Sequence, residues 1–182
     1  MKKLLLHVCC APCLSSVIER LKEETDYIIT LYFSNSNILP QKEYEKRKEV
    51  LIDFVSKVHP ETELIIDDYN QAGFFSAIKG KEYLGEGSSR CDDCIGYRLE
   101  RTAKYAKKNN FDIFATTLTV SPHKNAERIN CSGKALQEKY GVEYLPSDFK
   151  KRNGYLRSLQ LCKEYGIYRQ NYCGCNLGTQ GE

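Results

Sequence analysis

The sequence predicts an α/β fold, a single domain over residues 1–182 with a mostly parallel sheet and a cysteine-bearing C-terminal tail. Two patterns carry this reading. Short apolar and β-branched runs alternate with longer amphipathic helical stretches, the order that builds βαβ units. The first run, Leu4 to Val8, leads straight into Cys9-Cys10-Ala11-Pro12-Cys13, where a buried strand gives way to a helix. The length of 182 residues, with 41% hydrophobic and 28% charged residues, suits one core of ordinary size and excludes a disordered chain.

Taken in order, Leu4 to Val8 reads as a strand buried on both faces. Leu14, Val17, Ile18 and Leu21 mark a helix, with Pro12 in its first turn, where the missing N–H costs nothing. Tyr27 to Phe33 is a second strand, closed by the turn-like Ser34-Asn35-Ser36-Asn37. A charged helix from about 41 to 57 turns Tyr44, Leu51, Phe54 and Val55 inward. Glu63 to Asp67 is a third strand, Gln71 to Ile78 a short helix, and Gly80 to Ser89 a loop. Arg90-Cys91-Asp92-Asp93-Cys94 opens a helix carrying Leu99, Ala103 and Ala106. Ile113 to Val120 is a strand, followed by a helix through Leu136, a strand near Val142 to Leu145 and a helix from about Tyr155 to Tyr165.

No apolar run approaches the ~20 residues that span a bilayer, so no membrane association is expected. Met1 to Leu6 imitates the start of a signal peptide, but its apolar part is short and runs into His7 and the cysteines. Nine cysteines, an odd number without a secretory leader, point to reduced thiols in the cytoplasm, used for metal binding or redox chemistry. A net charge of +3 permits a nucleic-acid partner without demanding one.

Seven cysteines fall into three groups: Cys9, Cys10 and Cys13; Cys91 and Cys94; Cys173 and Cys175. The spacing of Cys91 and Cys94 at a helix start places both sulfurs on one face, where the helix N-terminus favours thiolate. Vicinal Cys9 and Cys10 can serve one site only where the strand breaks, because neighbours on a regular strand point to opposite faces. Together these four suffice for a cubane iron–sulfur cluster or a Cys₄ zinc site. The surplus thiols lean toward redox work. Cys173-Gly174-Cys175 can close a strained, labile disulfide or bring ligands to a second metal. Lone cysteines such as Cys131 and Cys162 read as small core hydrophobes without a role.

Among the histidines, His7 reads as a core imidazole and His59 as solvated. His123, with Lys124 and Asn125, stands at a strand-to-helix junction suited to substrate or phosphate contacts. Late in the chain, Phe149, Lys150, Lys151, Arg152, Tyr155 and Arg157, then Tyr165, Tyr168, Arg169 and Tyr172, interleave cations with aromatics. That pattern serves nucleic-acid stacking or a solvated helix face equally well.

His7-Val-Cys-Cys-Ala-Pro-Cys13, Phe33 to Asn37 with Pro40 and Tyr44, Arg90-Cys-Asp-Asp-Cys94 with Arg98-Leu-Glu-Arg-Thr-Ala103, and Thr116-Thr-Leu-Thr-Val-Ser-Pro-His-Lys-Asn125 form an ordered set. Asp148-Phe-Lys-Lys-Arg152, Gly154-Tyr-Leu-Arg-Ser158 and Tyr168-Arg-Gln-Asn-Tyr-Cys-Gly-Cys175 complete it. The chain resembles the QueH-type epoxyqueuosine reductases over nearly its whole length. The resemblance implies an architecture similar to the adenine-nucleotide α-hydrolase-like (HUP) proteins. It also implies a cobalamin-independent reduction of epoxyqueuosine to queuosine at the tRNA wobble position, with electrons from an unidentified donor. It puts a [4Fe-4S] cluster on Cys9, Cys10, Cys91 and Cys94, and a redox-active pair on Cys173 and Cys175. Cys13, or that pair, is available for a second iron or as a reserve of reducing equivalents. Substrate contacts are expected from His123, Lys124, Asn125, Arg152, Tyr155, Arg157 and Arg169. Asp92, Asp93 and His7 are the proton donors nearest the sulfur in sequence. Two rivals stand beside this reading, a zinc-stabilised tRNA-binding module and a tRNA-thiolating enzyme of related fold. The absence of a Ser-Gly-Gly loop after the first strand counts against ATP use, and so against the second.

Overall fold

The computed structural model describes residues 1–177. The single-domain reading of 1–182 also takes in residues 178–182, which lie outside the described ones. Five strands form one sheet: β1 (Lys3–His7), β2 (Ile28–Phe33), β3 (Glu63–Ile66), β4 (Ile113–Thr116) and β5 (Glu143–Tyr144). Their order is β3-β2-β1-β4-β5 and every pairing is parallel. The helices are α1 (Ala11–Glu24), α2 (Gln41–Val58), α3 (Gln71–Ala77), α4 (Ser89–Lys108), α5 (Ala126–Tyr140) and α6 (Gly154–Glu164).

Alternation along the strands supplies two cores. Leu4 and Leu6 of β1, Ile29, Leu31 and Phe33 of β2, and Ile113 and Ala115 of β4 bury one face against Leu14, Val17 and Ile18 of α1 and Leu51, Phe54 and Val55 of α2. Leu5, Tyr32, Phe114 and Tyr144 point the other way, against Ala103 and Ala106 of α4. Helix α6 packs on α1, outside the first layer.

The strand order fixes where a ligand belongs. From β1 the chain moves to β2 on one side, and β4 later fills the other side. The crevice between β1 and β4, at their carboxyl ends, is therefore the topological switch point. Both predicted cysteine junctions and the 117–125 segment converge there.

One strand is shorter than the sequence suggests. The run Ile113 to Val120 is β-rich throughout, yet β4 ends at Thr116 and Thr117–Val120 forms a 3₁₀ turn. Thr116 is the cause: its hydroxyl accepts a hydrogen bond from the Leu118 N–H and caps the turn. His59 is also not solvated. It caps the end of α2 at 9% exposure, edge-on to Phe54, with Lys22 Nζ 3.2 Å from Nδ1. Among the described residues no helix is long and apolar enough to cross a membrane.

Candidate active site

The first thiol group is made by the end of β1. Cys10 is the N-cap of α1, its backbone extended, with Pro12 in the helix's first turn. The strand breaks there, so Cys9, Cys10 and Cys13 bring their sulfurs within 4.8 Å of one another. Cys9 Sγ lies 3.7 Å from Cys10 Sγ. The 3₁₀ turn supports it: Thr117 Oγ1 accepts from the Cys9 N–H at 3.2 Å and stands 3.4 Å from its sulfur. Gln170 Nε2 donates to Cys10 Sγ at 3.1 Å.

The contact between the three thiols shifts them unevenly. Hydrogen bonds from Cys10 and Cys13 hold the Cys9 thiol well below its ordinary range. Cys10 is pushed up to about 12: a bond from Cys13 pulls it down, but donation to Cys9 and burial outweigh that. Cys13 is raised by its bonds to Cys10 and Cys9 and by burial. Of the three, Cys9 is the one biased toward thiolate, the form a metal requires.

The second group forms across the crevice. Cys91 and Cys94 lie in the first turns of α4, and the tail delivers Cys173 and Cys175 to the same small cavity, about 40 Å³. Cys91 Sγ accepts from the Gly87 N–H at 3.3 Å. Burial raises the Cys94 thiol to about 11. All nine cysteines are free thiols, Cys173 and Cys175 included.

The tail is anchored. Arg47, buried on α2 and paired with Glu43 at 2.8 Å, donates to the carbonyls of Cys173 at 2.7 Å and Tyr172 at 3.2 Å. Leu39 N–H bonds the Gly174 carbonyl at 2.9 Å, and the Tyr172 hydroxyl bonds the Leu39 carbonyl at 2.8 Å. A Cβ on Gly174 would stand 2.5 Å from Asn37 Nδ2, so a larger residue there would force Asn37 to move.

A larger cavity, about 450 Å³, opens beside the first thiol group. Its wall includes Cys9, Cys10, Cys13, Arg98, Lys124 and Cys173. Arg98, Lys124 and Cys173 also line the smaller cavity, so the two thiol groups share a wall. Lys124 Nζ donates to Cys173 Sγ at 3.0 Å.

The other expected contacts divide. His123, Tyr155 and Arg169 line the larger cavity, with the Arg169 guanidinium 5.9 Å from the Tyr155 ring. Asn125 caps α5 by accepting from the Arg128 N–H at 3.1 Å, at a neighbouring depression that also takes in Cys91. Arg152 and Arg157 line neither thiol cavity. Arg152 pairs with Glu24 at 2.6 Å and Arg157 with Glu19 at 2.9 Å, fastening the α6 region to α1. Much of the late aromatic–cation pattern is likewise spent internally, Lys46 over Tyr168 at 3.5 Å and Arg47 over Tyr172 at 4.9 Å.

His7 is the core imidazole the sequence suggests, fully buried between Thr116 Oγ1 at 2.9 Å and the Ser34 carbonyl at 3.2 Å. Burial, helped by the charge of Arg98, lowers it to about 4. Asp93 pairs with Lys81 at 2.5 Å and Asp92 with Arg128 at 3.1 Å. Of the two lone cysteines, Cys162 is buried, but Cys131 is exposed on the outer side of α5 and is no core residue. Residues the sequence reading left out of the site are Arg98, Thr117, Gln170 and Arg47. For Arg98 a signal exists: it follows Cys94 by four residues and therefore shares its helix face.

A family model described as "Epoxyqueuosine reductase QueH" matches residues 4–180. A Streptococcus pyogenes protein named epoxyqueuosine reductase QueH is 47% identical over 176 residues, 94% of this chain and 68% of that protein. One of the same name from Thermotoga maritima is 42% identical over 178 residues, 96% of this chain and 89% of that protein. Among solved structures, a predicted subunit of a tRNA methyltransferase from Methanocaldococcus jannaschii superposes with a TM-score of 0.52 at 15% identity. That match covers 90% of this chain and 75% of the other, and it shows the fold alone. Thiols gathered at the switch point of a parallel sheet, in a chain matched nearly end to end, place it plainly: this protein belongs to the QueH family of epoxyqueuosine reductases.

Proposed function

We propose that this chain reduces the epoxide of epoxyqueuosine at the tRNA wobble position to the cyclopentene of queuosine, the last step of queuosine synthesis, in the cytoplasm. The observation that carries the reading is the pair of thiol groups lining two adjoining cavities with a shared wall, the larger of them roomy enough for a modified base.

The reading assigns a [4Fe-4S] cluster to Cys9, Cys10, Cys91 and Cys94; among the described residues Cys9 and Cys10 gather with Cys13, and Cys91 and Cys94 line the adjoining cavity. The donor set is all thiol, Cys9 is already biased to thiolate, and the shared wall carries cations. A bound cluster would supply single electrons and a Lewis-acidic iron. Loss of the epoxide oxygen as water takes two electrons and two protons. The pair Cys173 and Cys175 holds two reducing equivalents as free thiols, and an external donor, still to be identified, restores them. Cys13 is left for a second iron or as a further reserve.

The surrounding residues bind and orient. Tyr155 and Arg169 give the cavity a ring and a cation for a base and its phosphate, and His123 stands at the same wall. His7 is fully buried with both ring nitrogens engaged, and burial disfavours its charged form, so it is poorly placed to donate a proton. Asp92 and Asp93 are committed to cations. Lys124 Nζ holds a proton where both cavities meet, beside Cys173. Burial disfavours its charge, but Cys173 outweighs that and keeps it protonated.

The test is anaerobic purification and cluster reconstitution, with iron, sulfide and zinc assays on the same sample. Wild type and Cys13→Ser should bind iron and sulfide with a broad band near ~400 nm, and Cys91→Ser should lose both. About one zinc per chain and no sulfide would favour the tRNA-binding module instead. Retention of a full cluster by Cys91→Ser would refute the ligand set.

A further inference from the structure

Arg98 lies on the inner face of α4 at 3% exposure, four residues after Cys94. Its surroundings differ from those of the other inward arginines. Arg47 carries Glu43, and Arg101 bridges Asp67 and Asp68. Arg90, beside Cys91, also has its Nε buried without a partner, but it lines only the smaller cavity and donates to the Glu82 carbonyl at 3.1 Å. Arg98 makes one long hydrogen bond, Nη1 to Asn35 Oδ1 at 3.4 Å, and its Nε is buried without a partner. Among the described residues it forms no ion pair. Glu86, a carboxylate in the same cavity walls, does not reach it.

A buried guanidinium without an anion is strongly unfavourable, so this position requires negative charge from something else. The groups its charge meets are sulfurs. Arg98 lines both cavities, whose walls carry Cys9, Cys10 and Cys13 on one side and Cys91, Cys94 and Cys175 on the other, with Cys173 in both. These sulfurs belong to both thiol groups, and Arg98 stands in the wall between them.

We infer that Arg98 is the counter-charge of the thiol site: a positioning residue whose buried guanidinium offsets the negative charge of a thiolate-ligated cluster and raises its reduction potential. The inference rests on the cluster reading above. Its electrostatic sign is fixed. Reduction adds negative charge, so a neighbouring cation favours the reduced form, and removing it favours the oxidised form.

The experiment compares wild type, Arg98→Met and Arg98→Lys, each as the full chain, with and without reconstituted cluster. Arg98→Met keeps the apolar stem and drops the charge, whereas Arg98→Lys keeps the charge. In redox titrations followed by the visible spectrum, Arg98→Met should move the one-electron equilibrium toward the oxidised cluster by about tenfold, ~59 mV lower. Arg98→Lys should hold most of the wild-type value. Without cluster the order of stability reverses: Arg98→Met should resist urea at least as well as wild type, since it removes an uncompensated charge. An unmoved potential in a fully loaded Arg98→Met protein would overturn the inference alone. So would an Arg98→Met apo-protein that is unfolded or less stable than wild type, which marks a merely structural arginine. A wild type that takes up no iron or sulfide would overturn the cluster reading, and this inference with it.

Discussion

Arg47 shows how a single side chain can hold a reactive segment. It sits at 2% exposure on α2, is paired with Glu43, and gives its remaining donors to backbone carbonyls of the tail. Arg47→Met removes these bonds and leaves Glu43 half-enclosed without its cation. Breaking such a pair costs about 3–5 kcal/mol when fully buried, and somewhat less here, because Glu43 keeps the Tyr168 hydroxyl at 3.2 Å. The expected outcome is a lower melting temperature and several-fold faster alkylation of the half-buried Cys175, read by mass spectrometry. An unchanged Cys175 rate would mean the tail is held by other contacts. At this scale the sequence is legible where chemistry is unusual, as in two cysteine groups at helix starts and a third in the tail. It is opaque for Arg47, because arginine on a helix ordinarily faces water, and for Arg98 only the spacing from Cys94 hints at what the packed fold shows.

Elements are built from patterns that tertiary contacts can override. The alternation of strands and helices is plain in the sequence, and helix α3 and the 80–88 loop fall where expected. The overlong fourth strand is the exception. The β-branched Thr116, Thr117 and Thr119 favour a strand, but the Thr116 cap redirects the backbone and sets Thr117 beside Cys9. That deviation serves the site, and local propensity does not encode it. Close helix-to-sheet packing is a second feature of this scale. A Cβ at Gly133 of α5 would lie 2.4 Å from ring atoms of Tyr144 on β5, whose hydroxyl is held by Asn130 Oδ1 at 3.0 Å. Gly133→Ala gains up to ~1 kcal/mol in helix propensity but overpacks a fixed ring, at about 1–3 kcal/mol. A net loss of roughly 1–2 kcal/mol follows, visible as a lower urea midpoint with unchanged slope. An alanine variant as stable as wild type would show that the ring is free to move.

For the whole molecule, the parallel sheet and its strand order explain why residues more than a hundred positions apart form one site. The β1 carboxyl end, the start of α4, the segment after β4 and the tail all meet at the switch point. The sequence predicts the α/β class, which follows from the alternation of elements, and cysteines at strand-to-helix junctions; the switch point itself needs the strand order that only the fold shows. It does not predict that Arg152 and Arg157 are spent as ion pairs on α1, since that depends on how α6 lies across α1. The central claim concerns this assembled crevice: its thiols, loaded with a cluster, remove the epoxide oxygen. The direct measurement is incubation of anaerobically reconstituted protein and a chemical reductant with epoxyqueuosine-containing tRNA, followed by nucleoside mass spectrometry. The account predicts conversion to queuosine, two electrons consumed per oxygen lost, and no turnover by Cys91→Ser. Unchanged epoxyqueuosine with fully loaded, reduced protein would contradict it.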